Sequence, residues 1–192
     1  MQQSTTYREP ARTNAAADGG GALTKAALGA VAGAVGTVLL DRVDWLLWDQ
    51  EGVDTQARTT AARPHGKPPA DVLVRKVEEA AGVELAPAHR DRAGFLTHVA
   101  MGIAPAAGYA LVRDKLPGQG VVRGAALGLG MFLLQDELLN SVTGVGAKPR
   151  EYPWQDHARG LVAHLLYGVT TELTLGALER SMERTSRLGQ HR

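Results

Sequence analysis

The feature that most constrains this chain is the separation of its charged residues from its apolar ones. Most of the charges lie in the N-terminal segment, in a long connection in the first half of the chain and in the C-terminal tail. Four weakly charged windows remain between them, at residues 24–48, 93–112, 121–142 and 160–178. A helix needs about 20 predominantly apolar residues to cross the ~30 Å hydrocarbon core of a bilayer. We therefore predict an all-α fold, an integral membrane four-helix bundle that spans the bilayer at these windows.

The overall composition limits the function classes. Lys and Arg number 21 against 20 Asp and Glu, which leaves a net charge of +1 and no basic field, so we expect no nucleic-acid partner. The absence of cysteine excludes disulfides, thiolate metal sites and thiol catalysis. The mean hydropathy of -0.13 is low for a membrane protein, which leaves a soluble helical bundle as the alternative. Alanine and glycine lower this mean, however, and both are common in packed membrane helices.

The same pattern predicts the domain organisation. Residues 1–23 read as a disordered N-terminus, residues 24–180 as one membrane domain and residues 181–192 as a basic tail. Within the domain, residues 49–92 form a polar connection with a short amphipathic helix at 70–81. Four spans place both termini on one side of the membrane. The basic tail and a tight basic loop assign that side to the cytoplasm under the positive-inside rule.

Ionisable residues inside the apolar windows are the candidates for function, because such groups are costly in a bilayer and mark ion or solute pathways. His98 and His164 lie one to two turns after the start of the second and fourth windows, and Asp41 and Asp136 lie a similar distance before the outer ends of the first and third. These four residues are therefore expected in one layer near the outer surface. Glu172, about 12 Å deeper than His164 on the same helix, is a candidate second polar position along the same path.

The two halves of the chain also align with each other. The matched pairs are Gly29 with Gly124, Gly33 with Gly128, Asp41 with Asp136, His98 with His164, and Gly102 with Gly168. This pattern indicates two tandem helix-pair repeats, related by an axis along the membrane normal.

Glycines at every fourth position predict close helix packing. Gly29 and Gly33 form such a pair in the first window, and Gly120, Gly124 and Gly128 form a series in the third. Small residues at this spacing let a second helix approach closely, either within the chain or in a homo-oligomer or membrane complex.

One set of spacings resembles a known family. The residues are Thr97-His98, Gly108-Tyr109, Pro117, Pro153-Trp154, His164 and Glu172. Together they resemble the YagU family of small bacterial inner-membrane proteins over about residues 93–180. The resemblance implies a multi-spanning membrane protein without an established activity. It carries over His98, His164 and Glu172 and adds Tyr109 to the polar site, whereas the two aspartates are inferred from this chain alone.

Three hypotheses for function remain open. The first is a non-enzymatic membrane protein whose buried histidines and carboxylates handle protons or a small polar solute. The second is a structural or assembly subunit that packs through its glycine faces. The third is a metal-dependent membrane enzyme that uses the histidines and aspartates as ligands, although no tight ligand spacing is present. The sequence contains no soluble-enzyme motif and predicts no cofactor. Histidine–aspartate pairs that only lock helix packing are an equally good explanation of the layer.

Overall fold

The computed structural model describes residues 15–189, and within that range the chain is all-helical. Its helices are α1 (Ala15–Trp48), α2 (Val53–Ala62), α3 (Pro69–Ala81), α4 (Pro87–Val112), α5 (Gly120–Met131), α6 (Asn140–Thr143) and α7 (Trp154–Gly189). A π-helical segment, Phe132–Leu139, joins α5 to α6 without a break in the helical path. Short 3-10 turns occur at Pro64–Gly66, Arg113–Lys115 and Pro149–Glu151.

The first and last helices extend further toward the termini than the sequence pattern indicates. The prediction of disorder over 1–23 is wrong for residues 15–23, which belong to α1, while residues 1–14 lie outside the described part of the chain. The predicted tail at 181–192 is likewise helical as far as Gly189. Adding turns to an existing helix requires no new nucleation, so a long apolar helix can propagate into a polar or glycine-containing flank.

Three helices are long and apolar enough to cross a membrane. They are Gly21–Trp48, Pro87–Lys115 and Trp154–Thr185. The third predicted window, 121–142, is helical throughout, but the π segment interrupts its α-helical hydrogen bonding between α5 and α6. The structure therefore shows an all-helical chain with three helices of membrane-spanning length and a fourth, interrupted helical path.

The long helices alternate in direction. Lys25 near the start of α1 forms a 2.6 Å ion pair with Asp114 just after α4. At the other end, the guanidinium of Arg159 in α7 lies 4.9 Å from the ring centroid of Trp48 in α1. Helix α1 packs against both α4 and α7, and α5 packs against α7. Among the described residues, α4 and α5 form no comparable interface, so a gap separates them.

All three tryptophans lie toward one end of the bundle. We call the end that holds Trp45, Trp48 and Trp154 the tryptophan end. The opposite end, which holds Arg113, Arg123 and Arg180, is the arginine end. Helices α2 and α3 connect α1 to α4 at the tryptophan end.

Small residues occupy many of the interior positions of the bundle, and many large apolar residues lie on its outside. Ala32, Ala106 and Ala110 are almost fully buried, whereas Val38 and Leu134 are about three-fifths exposed, at 61% and 60%. A soluble domain rarely exposes large apolar surface so extensively, because that surface costs free energy in water. The arrangement matches membrane bundles, in which small residues allow close packing and lipid covers the outside.

Four of the five predicted packing glycines lie at helix interfaces inside the chain. Gly29 and Gly33 face α4, where a Cβ at Gly29 would lie 2.6 Å from the carbonyl oxygen of Ala106. Gly124 and Gly128 face α7 at similarly short range. The prediction is wrong for Gly120, which has open space around its Cβ position. Gly120 instead begins α5 with a φ of 51°, a left-handed conformation that favours glycine.

Helix α3 corresponds to the predicted amphipathic helix at 70–81, but it buries a different face. The helical spacing of Leu73 and Val77 predicts an apolar face at these positions, but both are exposed, whereas Ala70, Val74 and Glu78 are buried. Glu78 accepts hydrogen bonds from the guanidinium of Arg90 at 2.8 and 3.1 Å. This contact, together with the backbone N–H of residue 85, holds the pKa of the Glu78 carboxyl below its usual range. An ion pair therefore fixes α3 to the start of α4.

Candidate polar cavity and ion-pair site

A cavity of about 630 Å³ opens at the tryptophan end, where α4 and α5 fail to pack together. Its walls come from α1, α4, the π segment and α7, with the loop before α7 closing one side. The lining contains carboxylates (Asp41, Asp44, Asp71, Asp136, Glu137 and Asp156), arginines (Arg63 and Arg159) and histidines (His98, His157 and His164). Carboxylates outnumber arginines, so the cavity carries excess negative charge when its histidines are neutral.

Asp41 and His98 form the first polar pair of the cavity. The Nε2 atom of His98 in α4 lies 2.8 Å from Oδ1 of Asp41 in α1. An ionised carboxylate can only accept, so Nε2 carries the proton in this contact. Both side chains are about two-fifths exposed, at 42% and 37%, and they can exchange protons with the contents of the cavity.

Asp136 and His164 form the second pair, on the opposite wall. His164 is much more buried than His98, with 9% of its side chain exposed. Its Nδ1 lies 2.9 Å from the carbonyl oxygen of Gly160 and 3.5 Å from Oδ2 of Asp136. The carbonyl requires a proton on Nδ1, which leaves Nε2 of a neutral ring as an acceptor. The second pair is therefore looser than the first and is held by the helix backbone.

The π segment determines how the acidic residues of the third window face α7. The N–H of Asn140 bonds to the carbonyl of Gln135, five residues earlier, in place of the usual four. Neighbouring residues in an α-helix point about 100° apart, yet the adjacent residues Asp136 and Glu137 both reach histidines of α7. π segments occur frequently at functional sites, and this one directs two carboxylates into the cavity wall.

His157 and Glu137 form a third pair, which the sequence prediction did not include. Nδ1 of His157 lies 2.6 Å from Oε1 of Glu137, and Nε2 lies 2.9 Å from the carbonyl oxygen of Pro149. Both ring nitrogens thus face oxygen atoms. The two bonds can form together if the ring carries a proton on each nitrogen, or if a protonated Glu137 carboxyl donates to Nδ1 of a neutral ring. Tyr152 packs edge-on against this ring, with the centroids 6.3 Å apart, and burial raises the pKa of its phenol.

Arg159 is the most connected charged residue at the tryptophan end. Only 5% of its side chain is exposed. Its Nε donates to Asp44 of α1 at 2.9 Å, and its two terminal nitrogens donate to Glu51 and Asp156. The guanidinium also lies over Trp48. Because it joins α1, the turn after α1 and α7, Arg159 fixes the rim of the cavity.

A close-packed layer forms the floor of the cavity. The hydroxyl of Tyr167 in α7 donates to the carbonyl of Gly102 in α4 at 2.6 Å, and Tyr167 is 1% exposed. Thr37 of α1 lies against Gly102 from the other side. A Cβ at Gly36 would lie 2.9 Å from the ring of Tyr167. The floor leaves no space between α1, α4 and α7, so the cavity ends there.

Glu172 and Tyr109 lie beyond this floor, at the arginine end. Glu172 is 2% exposed and accepts from the hydroxyl of Tyr109 at 2.6 Å. It also accepts from Arg113 at 2.8 and 3.0 Å, and another Arg113 nitrogen donates to Glu179. A buried carboxylate is tolerated when it is paired and hydrogen-bonded in this way. Glu172 is therefore part of a buried ion-pair network and does not line the cavity that holds the two histidine–aspartate pairs.

The structure thus divides the predicted polar site in two. It brings Asp41 to His98 and Asp136 to His164 on the walls of one cavity, and it joins Glu172 to Tyr109 elsewhere. Within residues 15–189, no group of three or more potential metal-binding side chains is close enough to hold an ion. The spacing of residues along the sequence does not indicate the pairing of His157 or the role of Arg159. The partner of His157 lies on the π segment, and the three partners of Arg159 lie on α1, on the turn after it and on α7.

No family model, no curated protein and no solved structure matches the chain. The resemblance to the YagU family therefore depends on the residue spacings alone.

Proposed function

We propose that this chain is a multi-pass protein of a bacterial inner membrane that takes protons or a small cationic solute into its histidine-lined cavity. Both termini are placed in the cytoplasm, and the tryptophan end faces outward. The observation that carries the proposal is the presence of both histidine–aspartate pairs on the walls of one cavity, open at one end and closed at the other.

The outer surface of the bundle supports the membrane placement. Large apolar residues cover its long helices, and three of those helices have membrane-spanning length. Tryptophans gather at one end, as expected for residues that prefer the interface between lipid and water. The short basic loop between α4 and α5, with Arg113, Lys115 and Arg123, supports a cytoplasmic side for the arginine end under the positive-inside rule.

The chemistry of the cavity supports protons or cations as its contents. Imidazole titrates near neutral pH, and each of the two histidines has a carboxylate beside it that can stabilise the charged ring. When a histidine loses its proton, the neighbouring carboxylate is left uncompensated and favours a cation. Binding of a cationic solute and release of a proton are therefore coupled at Asp41 and Asp136 in this proposal.

Transfer to the other side would require a second conformation. The floor at Tyr167 and the Glu172–Arg113 network close the bundle below the cavity. The missing interface between α4 and α5 is the place where the bundle can rearrange, because closing that gap would remove the outer cavity. We propose that α4 and α5 approach each other as the floor opens, in an alternating-access cycle.

Reconstitution into proteoliposomes tests the proposal. A potassium gradient with valinomycin sets the membrane potential, and a trapped pH-sensitive dye reports proton entry. We expect the wild-type protein to increase proton flux over empty vesicles. His98→Ala and His164→Ala should each reduce that increase about tenfold or more, since a positioned proton-transfer group contributes roughly 10²–10⁴ to a rate.

His89→Ala provides the matched control. His89 lies on the same helix as His98 but is exposed and outside the cavity, so its removal should leave flux unchanged. Flux equal to the wild type in both cavity variants would contradict the proposal. So would a wild-type protein that leaves the flux of empty vesicles unaltered across pH 5 to 8, the range in which His titrates.

Assembly within a larger membrane complex is the second proposal. The glycine faces that suggested it are occupied by α4 and α7 of the same chain. A partner would therefore have to pack on the large apolar residues outside the bundle, such as the exposed Val121, Val122 and Leu129 of α5. Helix α5 is the natural place for such a contact, because among the long helices it packs closely only against α7.

A further inference from the structure

A second cavity, of about 290 Å³, lies at the arginine end between the close of α4, the start of α5 and the last third of α7. Three arginines line it, Arg113, Arg123 and Arg180, each from a different part of the chain. It is separated from the histidine cavity by the packed floor at Tyr167. The proposed transfer of protons or cations uses Arg113 only as part of the closed end of the bundle and gives no role to Arg123 or Arg180.

The charges around this cavity do not cancel. Arg113 is fully engaged by Glu172 and Glu179. Arg123 donates to the carbonyl of Gly118 and lies 3.9 Å from Glu172, whereas Arg180 has no ion-pair partner among the described side chains. Three arginines against two glutamates leave one positive charge uncompensated. A single monovalent anion would neutralise it.

The geometry brings two guanidinium groups together. A Cβ at Gly176 would lie 3.2 Å from Nη1 of Arg180 and 3.3 Å from Nη2 of Arg113. Because glycine has no side chain, both guanidinium groups can lie beside Gly176 on the same side of α7. Like charges at this range repel unless an anion lies between them, and arginine binds phosphate oxygens through paired N–H groups.

The start of α5 adds neutral donors to the same cavity. Gln119 and Gly120 line it, and Gln119, the N-cap residue, makes no side-chain capping bond. The first N–H groups of a helix have no partner within the helix and favour anions. These donors supplement the arginines.

We infer that the arginine cavity binds a phosphate group, supplied by the headgroup of an anionic phospholipid or by free phosphate. A phosphodiester carries one negative charge, which equals the uncompensated charge of the site. Leu173 lines the cavity beside the arginines and provides an apolar contact of the kind that a lipid chain requires. Basic pockets between helices on the cytoplasmic side recognise anionic headgroups in this manner.

Thermal unfolding of the purified full chain in neutral detergent tests the inference. Phosphatidylglycerol, phosphatidylcholine and inorganic phosphate are added separately at matched ionic strength. We expect phosphatidylglycerol to raise the unfolding midpoint by about 4 °C or more at saturation, and phosphatidylcholine to have no such effect. Arg123→Gln and Arg180→Gln should each lose more than half of that shift.

Arg184→Gln is the matched control, since Arg184 is exposed on the same helix and lies outside the cavity. It should keep the wild-type shift. A shift with inorganic phosphate as large as that with phosphatidylglycerol would support the site and identify free phosphate as its source. Equal losses in Arg184→Gln and the two cavity variants would show general surface attraction and overturn the inference. An absence of any shift with either anion would overturn it as well.

Discussion

Arg159 shows how a single residue can define one end of this bundle. Three carboxylates from separate parts of the chain, Asp44, Glu51 and Asp156, converge on its guanidinium, and the ring of Trp48 covers it. None of these carboxylates has another cation within ion-pairing distance among the described residues. The arrangement depends on one positive charge that is almost completely buried.

Removal of that charge should destabilise the protein strongly. Arg159→Gln would leave three carboxylates close together around a side chain that is only 5% exposed, and loss of one partner from a buried ion pair costs roughly 3–5 kcal/mol. We expect the free energy of unfolding in detergent to fall by about that amount. Circular dichroism during chemical denaturation measures it. Arg42→Gln, at an exposed position of α1, should change it by less than about 0.5 kcal/mol.

Sequence reasoning identified some residues of the cavity and missed others for a physical reason. Asp41, His98, Asp136 and His164 could be named because each is an ionisable residue in an apolar window, and depth follows from helical rise. Arg159 could not be distinguished from a solvated charge near the start of a helix. Its role depends on the positions of three acids from different elements, which spacing along one helix does not reveal.

At the scale of elements, glycine determines which helices can touch. Gly124 and Gly128 of α5 and Gly168 of α7 bring two backbones into direct contact. A Cβ at Gly128 would lie 2.8 Å from Cα of Leu165 and closer still to the carbonyl oxygen of His164. Backbone atoms cannot move aside as the end of a flexible side chain can. The α5–α7 interface therefore tolerates no side chain at this position.

A pair of alanine substitutions on α5 tests this interface. Gly128→Ala should lower the free energy of unfolding by roughly 1–3 kcal/mol, the usual cost of forcing an extra methyl group into a packed interior. Gly130→Ala lies two residues away, where a Cβ meets no atom within 4 Å, and should be neutral or stabilising by up to about 1 kcal/mol through helix propensity. Thermal unfolding in detergent compares the two. Equal midpoints would show that α5 does not pack on α7 as described.

Elements with strong patterns were predictable, and irregular ones were not. Helix α3 has a proline near its start and Gly82 at its end in a left-handed conformation, both recognisable signals. Helix α2 (Val53–Ala62) consists mainly of alanine, threonine and charged residues without a clear apolar face, and it was assigned to the connection. The π segment has residues that an α-helix accommodates equally well, so composition does not indicate its hydrogen bonds between residues five apart.

At the scale of the whole molecule, the two helix pairs are related but not equivalent. The aligned residues form matching pairs, Asp41 with His98 and Asp136 with His164. The contact points differ, however, between the α1–α4 pair and the α5–α7 pair. Gly33 lies against Gly102, whereas its counterpart Gly128 lies against His164, one helical turn from the corresponding position.

The same inequivalence accounts for the cavity. An exact two-fold arrangement would pair α4 with α5 as closely as α1 pairs with α7. Only the α1–α7 interface is formed, and the unfilled space is the cavity that holds both histidine–aspartate pairs. The internal alignment predicted matched residues, but the departure from symmetry depends on how the helices pack in three dimensions.

The membrane topology can be tested directly because the chain contains no cysteine. Lys67→Cys places a thiol in the connection at the tryptophan end, and Lys115→Cys places one at the arginine end; both positions are exposed. If the bundle spans the inner membrane with its tryptophan end outward, a membrane-impermeant maleimide should label Lys67→Cys in intact bacterial spheroplasts. Lys115→Cys should be labelled only after lysis.

This experiment also distinguishes a membrane-spanning bundle, whose exposed apolar surface contacts lipid, from a soluble bundle, whose surface contacts water. A soluble bundle would leave both thiols inside the cell, so neither would be labelled before lysis, and carbonate washing would release the protein from the membrane fraction. Labelling of Lys115→Cys alone in intact spheroplasts would reverse the orientation and place the histidine cavity in the cytoplasm. Labelling of Lys67→Cys alone, with the protein retained after carbonate washing, requires that the chain crosses the bilayer between residues 67 and 115. Since α4 is the one long helix between these positions, that result would identify it as a membrane span and set the direction of the other three helical paths.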